Sequence, residues 1–349
     1  MIDIRSLDIK ELSDLSEALG EKAYRGKQIS EWLCRGASSF DEMKNLPASF
    51  REKLKESCDP GRLEVLRELV SKDGTRKLLY GLGDGNAIET VFMKYRYGNS
   101  ICISSQAGCR MGCAFCASGK NGLARDLTAG EMAGQVQVTQ RSCCGEGERI
   151  SHIVVMGTGE PFDNYENVSK FVRIISDEKG MGIGKRNITI STCGIVPVIA
   201  KMSEDMPQVN LAISLHAPND EIRKKIMPIA RRYPIEELID ACREYTEKTH
   251  RRITFEYAVT KDVNDRDKDI EELTGLLKGM LCHVNLIPLN PIEEGGLKSP
   301  GRRRAEEIAE MLEKARIPAT VRRTLGSDIQ ASCGQLRLSA QSEANTEKQ

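Results

Sequence analysis

Between residues 100 and 322 the chain alternates two hydrophobic patterns. Short continuous apolar runs predict buried strands over 100–105, 152–156, 187–191, 210–214, 252–258, 283–287 and 319–322. Between them, apolar residues recur at three- and four-residue spacing. These predict helices over 128–141, 164–176 and 196–202, helical stretches from 219 and from 234, and helices over 267–281 and 302–314. Seven strands alternating with helices predict parallel βα units, closed or partly closed into a barrel rather than a sandwich.

The flanks follow other rules. Residues 1–60 read as short helices: Ser6-Leu7-Asp8 can cap one, 24–33 carries helical spacing, and Asn45-Leu46-Pro47 punctuates before another over 48–56. Trp32, the one tryptophan, reads as the core anchor of this unit rather than a stacking platform. Residues 61–98 shift to β runs at 76–82 and 87–93 about the turn Asp84-Gly85-Asn86. Gly81-x-Gly83-x-Gly85 opens no helix, so it belongs to that turn. Residues 99–338 hold the alternating unit, and the polar stretch 339–349 reads as disordered. The expected fold class is α/β: a partial (βα) barrel with a small N-terminal helical accessory domain and a short β extension.

Composition narrows the class without naming a chemistry. The hydrophobic fraction, 40%, and charged fraction, 29%, are those of an ordinary soluble protein. No apolar run approaches the ~20 residues of a membrane span, and the opening residues carry no secretory apolar region. The 12 cysteines show no disulfide-scaffold spacing, which points to a reducing cytosol where thiols serve metals and chemistry. Lys+Arg 51 balance Asp+Glu 51, so charge neither supports nor excludes a nucleic-acid partner. Arg231-Arg232, Arg251-Arg252, 302–304 and Arg322-Arg323 read as solvated helix ends or strand edges.

One stretch is unlike the rest: Gln106-Ala-Gly-Cys109-Arg-Met-Gly-Cys113-Ala-Phe-Cys116-Ala-Ser-Gly119. Thiolates at this spacing in a glycine-rich loop can wrap one side of a 4Fe–4S cube. Three thiolates leave one iron open to a small ligand, as a catalytic metal keeps an open position. A zinc loop lacks the expected paired spacing here, and three core cysteines remain the plainest alternative.

In a βα barrel, chemistry sits where strands end. Here the first strand runs into the cysteine loop, the second into Gly157-Thr-Gly159-Glu160-Pro161, the third into Ser191-Thr192 and the fourth into Ser214-Leu215-His216. The sixth runs into Pro288-Leu-Asn290, and Cys333 follows the seventh in a polar, glycine-bearing loop. Each has a plain structural reading. Gly-x-Gly-Glu-Pro can be a turn before a helix, and Ser191, Ser214 and Asn290 can be helix caps. His216 alone is more often structural, and Cys102 within its apolar strand is by itself a small buried hydrophobe. Cys333 leans toward a reactive thiol. Glu89, between Ile88 and Val91, is either exposed on an outer face or held for proton transfer.

Cys109-x3-Cys113-x2-Cys116, with Phe115 before the last cysteine, resembles the signature of radical S-adenosylmethionine (SAM) enzymes. The longer phrases narrow this. Cys102-Ile-Ser-Ser-Gln-Ala-Gly-Cys109, Met156-Gly-Thr-Gly-Glu-Pro161 and Leu211-Ala-Ile-Ser-Leu-His-Ala-Pro-Asn-Asp220 lie in the first half of the barrel. His283-Val-Asn-Leu-Ile-Pro-Leu-Asn-Pro291 and Ala331-Ser-Cys-Gly-Gln-Leu336 lie toward its end. Together they resemble the dual-specificity 23S rRNA and tRNA adenine carbon-2 methyltransferases, over about residues 24–338. Thr158 and Ser332 depart from the pattern, at positions away from the implied chemistry. The resemblance implies a partial barrel of the radical SAM type. Its cluster ligands fall on Cys109, Cys113 and Cys116, and its SAM contacts on Gly159, Glu160, Ser191, Ser214, Leu215, His216 and Asn290. It implies a methyl carried on Cys333, a resolving thiol at Cys102 that forms a transient disulfide, and a base at Glu89. It also implies 23S rRNA and tRNA as substrates, a one-electron donor such as flavodoxin or ferredoxin, and a cytoplasmic monomer. The sibling carbon-8 methyltransferases share Gly326-Ser-Asp and the same machinery, so the product isomer separates the two.

Overall fold

The computed structural model describes residues 1–61, 63–290, 296–323, 325–331 and 335. The chain begins with β1 (Ile2–Asp3), followed by helices α1 (Ile9–Ala18), α2 (Arg25–Cys34) and α3 (Ala48–Ser57), and β2 (Cys58–Asp59). Asp8, from the expected capping triplet, closes a capping box on α1 with Glu11. The apolar faces meet around Ile29, Leu33, Phe40, Phe50 and Leu54. Trp32 is not the anchor the composition suggested. It sits half-buried at the rim, its Nε1–H donating to Asn45 (2.6 Å), because the two phenylalanines fill the centre.

Next come β3 (Glu64–Val70), β4 (Arg76–Gly81) and β5 (Ala87–Tyr95). The alternating unit contains β6 (Gly98–Ile103), a short hairpin of β7 (Gln106–Gly108) and β8 (Leu123–Asp126), α4 (Ala129–Cys143), β9 (Ile150–Val155) and α5 (Tyr165–Ser176). It continues through β10 (Ile188–Thr192), α6 (Val196–Asp205), β11 (Asn210–Ser214), α7 (Asp220–Ile226), α8 (Ile235–Thr249) and β12 (Ile253–Val259). The last elements are α9 (Asp267–Leu277), β13 (Cys282–Pro288), α10 (Arg302–Lys314) and β14 (Ala319–Val321).

Among the described residues one sheet runs β14-β13-β12-β11-β10-β9-β6-β5-β4-β3. From β6 to β14 every pairing is parallel, and β3, β4 and β5 continue the same sheet antiparallel. Parallel strands need helical crossovers, and these bury one face against residues such as Val136, Phe171, Ile199, Leu238, Leu273 and Ile308. The other face is left for the site. Two expectations shift in the structure. Strand β3 was not marked by the sequence, and α9 stops at Leu277 because Gly279 takes a left-handed turn (φ +74°).

The N-terminal unit is bolted to the barrel rather than tethered. Arg5 is buried, donating to the carbonyls of Pro60 and Gly61 (both 3.0 Å), to Ala37 and to Gln137 of α4. Asp3 accepts from Thr128 (2.7 Å), the N-cap of α4. Among the described residues no helix is long and apolar enough to cross a membrane.

Candidate active site

Strand β6 ends at Ile103 and the chain turns into the β7–β8 hairpin, whose loop is the cysteine segment. Gln106–Asp126, Ala107–Arg125 and Gly108–Leu123 pairing closes its base. Cys109 donates its N–H to Gly122 (2.9 Å), and Ala114 to Ile226 at the end of α7 (2.9 Å). Met111, Ala114 and Phe115 pack with Ile222, Ile226 and Met227, and the Phe115 ring meets His216 edge-on at 4.6 Å. The loop is fixed from both sides.

Cys109, Cys113 and Cys116 line one end of a cleft of about 930 Å³, counted out to its open mouth. Gly157, Gly159, Glu160, Ser191, Ser214, His216 and Asn290 line its other walls, arriving at or just after the C-terminal ends of β9, β10, β11 and β13. Of the expected ligand contacts Leu215 alone lies off the wall. Its side chain is buried in the core while its neighbours on both sides face the cleft.

Glu160 is the most confined acid here. Its carboxylate accepts from the N–H groups of Phe162 (3.0 Å) and Cys193 (2.7 Å), and its own N–H donates to Gln106 Oε1 (2.8 Å). Burial nevertheless raises its carboxyl above the usual range, against those hydrogen bonds. A cationic ligand group would relieve that cost. Burial also pushes the Cys109 thiol up to about 12 and raises that of Cys113. Three thiols lining one cleft are a soft, all-sulfur donor set of the kind an iron–sulfur cluster takes, and among the described residues no three His, Cys, Asp or Glu side chains are already gathered closely enough to hold a metal ion.

His216 is held as a neutral ring. Its backbone is left-handed (φ 55°) and its Nδ1 accepts the N–H of Ala258 (2.9 Å), which puts the ring proton on Nε2. Burial, followed by the charge of Arg223, brings its pKa down from 6.5 to about 3. An unfolded histidine takes up a proton below about 6.5 and the folded one does not, so this residue withdraws stability as pH falls from 6.5 toward 3. The withdrawal is of order 4 kcal/mol. Glu160 and Glu256, with raised carboxyls, act in the opposite sense. His216→Asn is therefore expected to lose less stability than the parent between pH 6.5 and 4.5, read by urea unfolding at both pH values. Parallel curves would mean that the ring is not held neutral.

Some of the site left no trace in the reading of the sequence. Arg223 of α7 is fully buried and clasps backbone carbonyls, Cys193 at 2.7 Å and Leu215 at 3.3 Å, tying together the turns after β10 and β11. Glu256 also lines the cleft, with Asn285 donating to it (2.9 Å), and so does Arg322, which is not the solvated strand edge expected of it because β14 ends at Val321 and delivers the next residue to the cleft. A carboxylate inside the apolar run Thr254-Phe255-Glu256-Tyr257 was the available signal.

Neither Glu89 nor Cys102 lines the cleft, and the link to it runs through Met156, which packs against Cys102. Glu89 is buried, paired with Lys77 at 2.9 Å, so it is not exposed on an outer face. Cys102 lies opposite Val91 in the β5–β6 ladder, two residues along β5 from Glu89 on the same face. Around Cys102 pack Val91, Met93, Met156, Leu325 and Ala331, and Met156 also lines the cleft. Cys333 lies outside the described residues. Ala331, two positions before it, rests on the Cys102 patch.

The profile of the Radical SAM superfamily matches residues 103–274, and that of the ribosomal RNA large subunit methyltransferase N-terminal domain matches residues 2–59. A protein of Alkaliphilus oremlandii carrying the name "Probable dual-specificity RNA methyltransferase RlmN" is 52% identical over 337 residues, 96% of this chain and 97% of that one. A protein of the same name from Clostridium acetobutylicum is 51% identical over 338 residues, 97% of this chain and 96% of that one. The chain belongs to the RlmN family of radical SAM RNA methyltransferases. The fold agrees: the crystal structure of a radical SAM methyltransferase from Sphaerobacter thermophilus superposes with a TM-score of 0.94 at 45% identity, covering 98% of this chain and 100% of that one. Membership in the RlmN family implies a 4Fe–4S cluster, SAM and an RNA substrate.

Proposed function

We propose that this protein methylates carbon 2 of adenine in 23S rRNA and in tRNA, using Cys333, Cys102 and Glu89. The observation that carries the reading is one shared face. Cys102 and Glu89 lie on it, Cys102 packs against Met156 of the cleft wall, and the segment leading to Cys333 rests on the Cys102 patch. Cys109, Cys113 and Cys116 hold the cluster. Glu160 receives the ammonium of SAM, with Gly159, Ser191, Ser214, His216 and Asn290 on the walls around it.

Carbon 2 of adenine is electrophilic, so a methyl-cation donor alone does not alkylate it. When bound, the cluster supplies the electron that cleaves SAM to a 5′-deoxyadenosyl radical. Cys333 first accepts a methyl from another SAM as a thioether. After loss of a hydrogen atom, its methylene adds to carbon 2. Glu89 takes the proton from carbon 2, and the odd electron left on the adduct leaves it, for which the oxidised cluster would be the acceptor, so that a closed-shell thioether joins Cys333 to the base. Cys102, as thiolate, then attacks the sulfur of Cys333, and the sulfur–carbon bond breaks with its pair on the methylene carbon, which takes up a proton to become the methyl group. The N-terminal unit docks RNA by shape, consistent with the neutral overall charge. The protein works as a cytoplasmic monomer, supplied with electrons by flavodoxin or ferredoxin.

The test is mass spectrometry of nucleosides from 23S rRNA and tRNA incubated anaerobically with reconstituted protein, SAM and reductant. 2-Methyladenosine that disappears in Cys333→Ala is expected from both RNAs. Methylation at carbon 8 would move the protein to the sibling branch, and SAM cleavage without a methylated base would overturn the substrate.

A further inference from the structure

Strand β4 brings a lysine to this face whose contacts reach two parts of the proposed machinery. Lys77 pairs with Val91 across the β4–β5 ladder, so its side chain runs diagonally to Glu89. The ammonium lies 2.9 Å from the Glu89 carboxylate with both side chains nearly buried, 11% and 5% exposed. The same ammonium donates to the backbone carbonyl of Gln330 at 3.3 Å, three residues before Cys333. The β3–β4 turn holds that segment as well. Asp73 accepts the N–H of Gly326 (2.9 Å), and Asp328 accepts from Ser71 (2.6 Å) and from the N–H of Lys72 (3.2 Å).

We infer that Lys77 is a positioning residue that sets Glu89 and the 326–331 segment in one register, so that the base meets carbon 2 when the RNA adduct on Cys333 arrives. The inference rests on the proposed roles of Glu89 and Cys333. A lysine has three donors, enough for a carboxylate and a carbonyl together, and burial keeps water from the Glu89 pair. The β extension thus acts as a cradle for the C-terminal segment as well as an edge of the sheet.

The experiment is a single-turnover reaction of reconstituted holoenzyme with a tRNA transcript. 5′-Deoxyadenosine and 2-methyladenosine are counted by mass spectrometry, and protein–RNA adduct is counted on a denaturing gel. Lys77→Met is expected to form 5′-deoxyadenosine within twofold of the parent. It should yield at least tenfold less 2-methyladenosine per 5′-deoxyadenosine, with adduct accumulating. Lys77→Arg should bring that ratio back within threefold, because a guanidinium can span the same two acceptors. If Lys77→Met does not fold, Lys77→Gln, which keeps a donor and loses the charge, is read in its place. A parental product ratio in both neutral variants, or 5′-deoxyadenosine and product falling together, overturns the inference. Glu89→Gln separates the layers: a block there without one at Lys77 defeats this inference alone, whereas no block at Glu89 defeats the base assignment beneath it.

Discussion

Cys102→Ala is expected to stop turnover with RNA still attached to the protein, lowering multiple-turnover product by about 10³-fold or more. In the apolar patch formed with Val91, Met93, Tyr95, Met156, Leu325 and Ala331, Cys102 is the sole thiol among the described residues, so none of these neighbours can stand in for it. Steps before the attack on the Cys333 sulfur do not use Cys102, so 5′-deoxyadenosine should still form once per adduct. Trimming a buried cysteine to alanine removes one small atom from a patch that already contains alanine, so the fold should hold. The measurement is a denaturing gel of end-labelled RNA after single turnover, with nuclease digestion and mass spectrometry placing the link on Cys333. Cys102→Ser should behave alike, since an alkoxide cannot regenerate a thiol–disulfide couple. Released, methylated RNA at the parental rate would end the assignment and leave Cys102 as a core residue.

How far the sequence alone carried the structure depended on whether a residue's role repeats along the chain. The seven parallel strands were legible because the helix-covered face of each repeats apolar residues, as Ile188 and Ile190 do in β10 and Val284 and Leu286 in β13, between helices of a different period. Strand β3 was not: Val65, Leu66 and Val70 are all exposed at the sheet edge, so it has neither a buried face nor an alternating pattern. The β7–β8 hairpin was hidden for another reason. Its few residues pair across the cysteine loop with an irregular register, and they read as part of that loop. At the site, motifs delivered the thiols, Gly159 and Glu160, whose chemistry requires particular side chains. Arg223 escaped because it binds backbone carbonyls, which leave no mark in a sequence. Lys77 escaped because its partners lie on another strand and in the 326–331 segment.

Gly159→Ala is expected to lower SAM affinity by about 100-fold or more while leaving a folded protein. Gly159 has φ +114°, outside what side-chain-bearing residues adopt without strain, at roughly 1–3 kcal/mol. Space is the harder limit. A methyl group there would meet Gln106 Cβ and Ser105 Oγ at 2.7 Å and the Gln106 backbone nitrogen at 2.8 Å. Those atoms cannot yield easily, because the N–H groups of Ser105 and Gln106 both donate to Thr158, at 2.9 and 3.1 Å. The 157–160 turn must therefore lift from Gln106. That breaks the hydrogen bond from the Glu160 N–H to Gln106 Oε1 and draws the carboxylate from the N–H groups of Phe162 and Cys193. An acid already costly to bury would then lose the donors that aim it into the cleft. Strain of this size should also lower Tm by about 5 °C. Gly83→Ala is the matched control: it lies in the β4–β5 turn with nothing within 4 Å of an added Cβ, and it should change neither quantity. Equilibrium binding of labelled SAM and thermal unfolding, run side by side, decide the matter. Parental SAM affinity in a Gly159→Ala protein with lowered Tm would mean that the strain is real but that SAM is not held through Glu160.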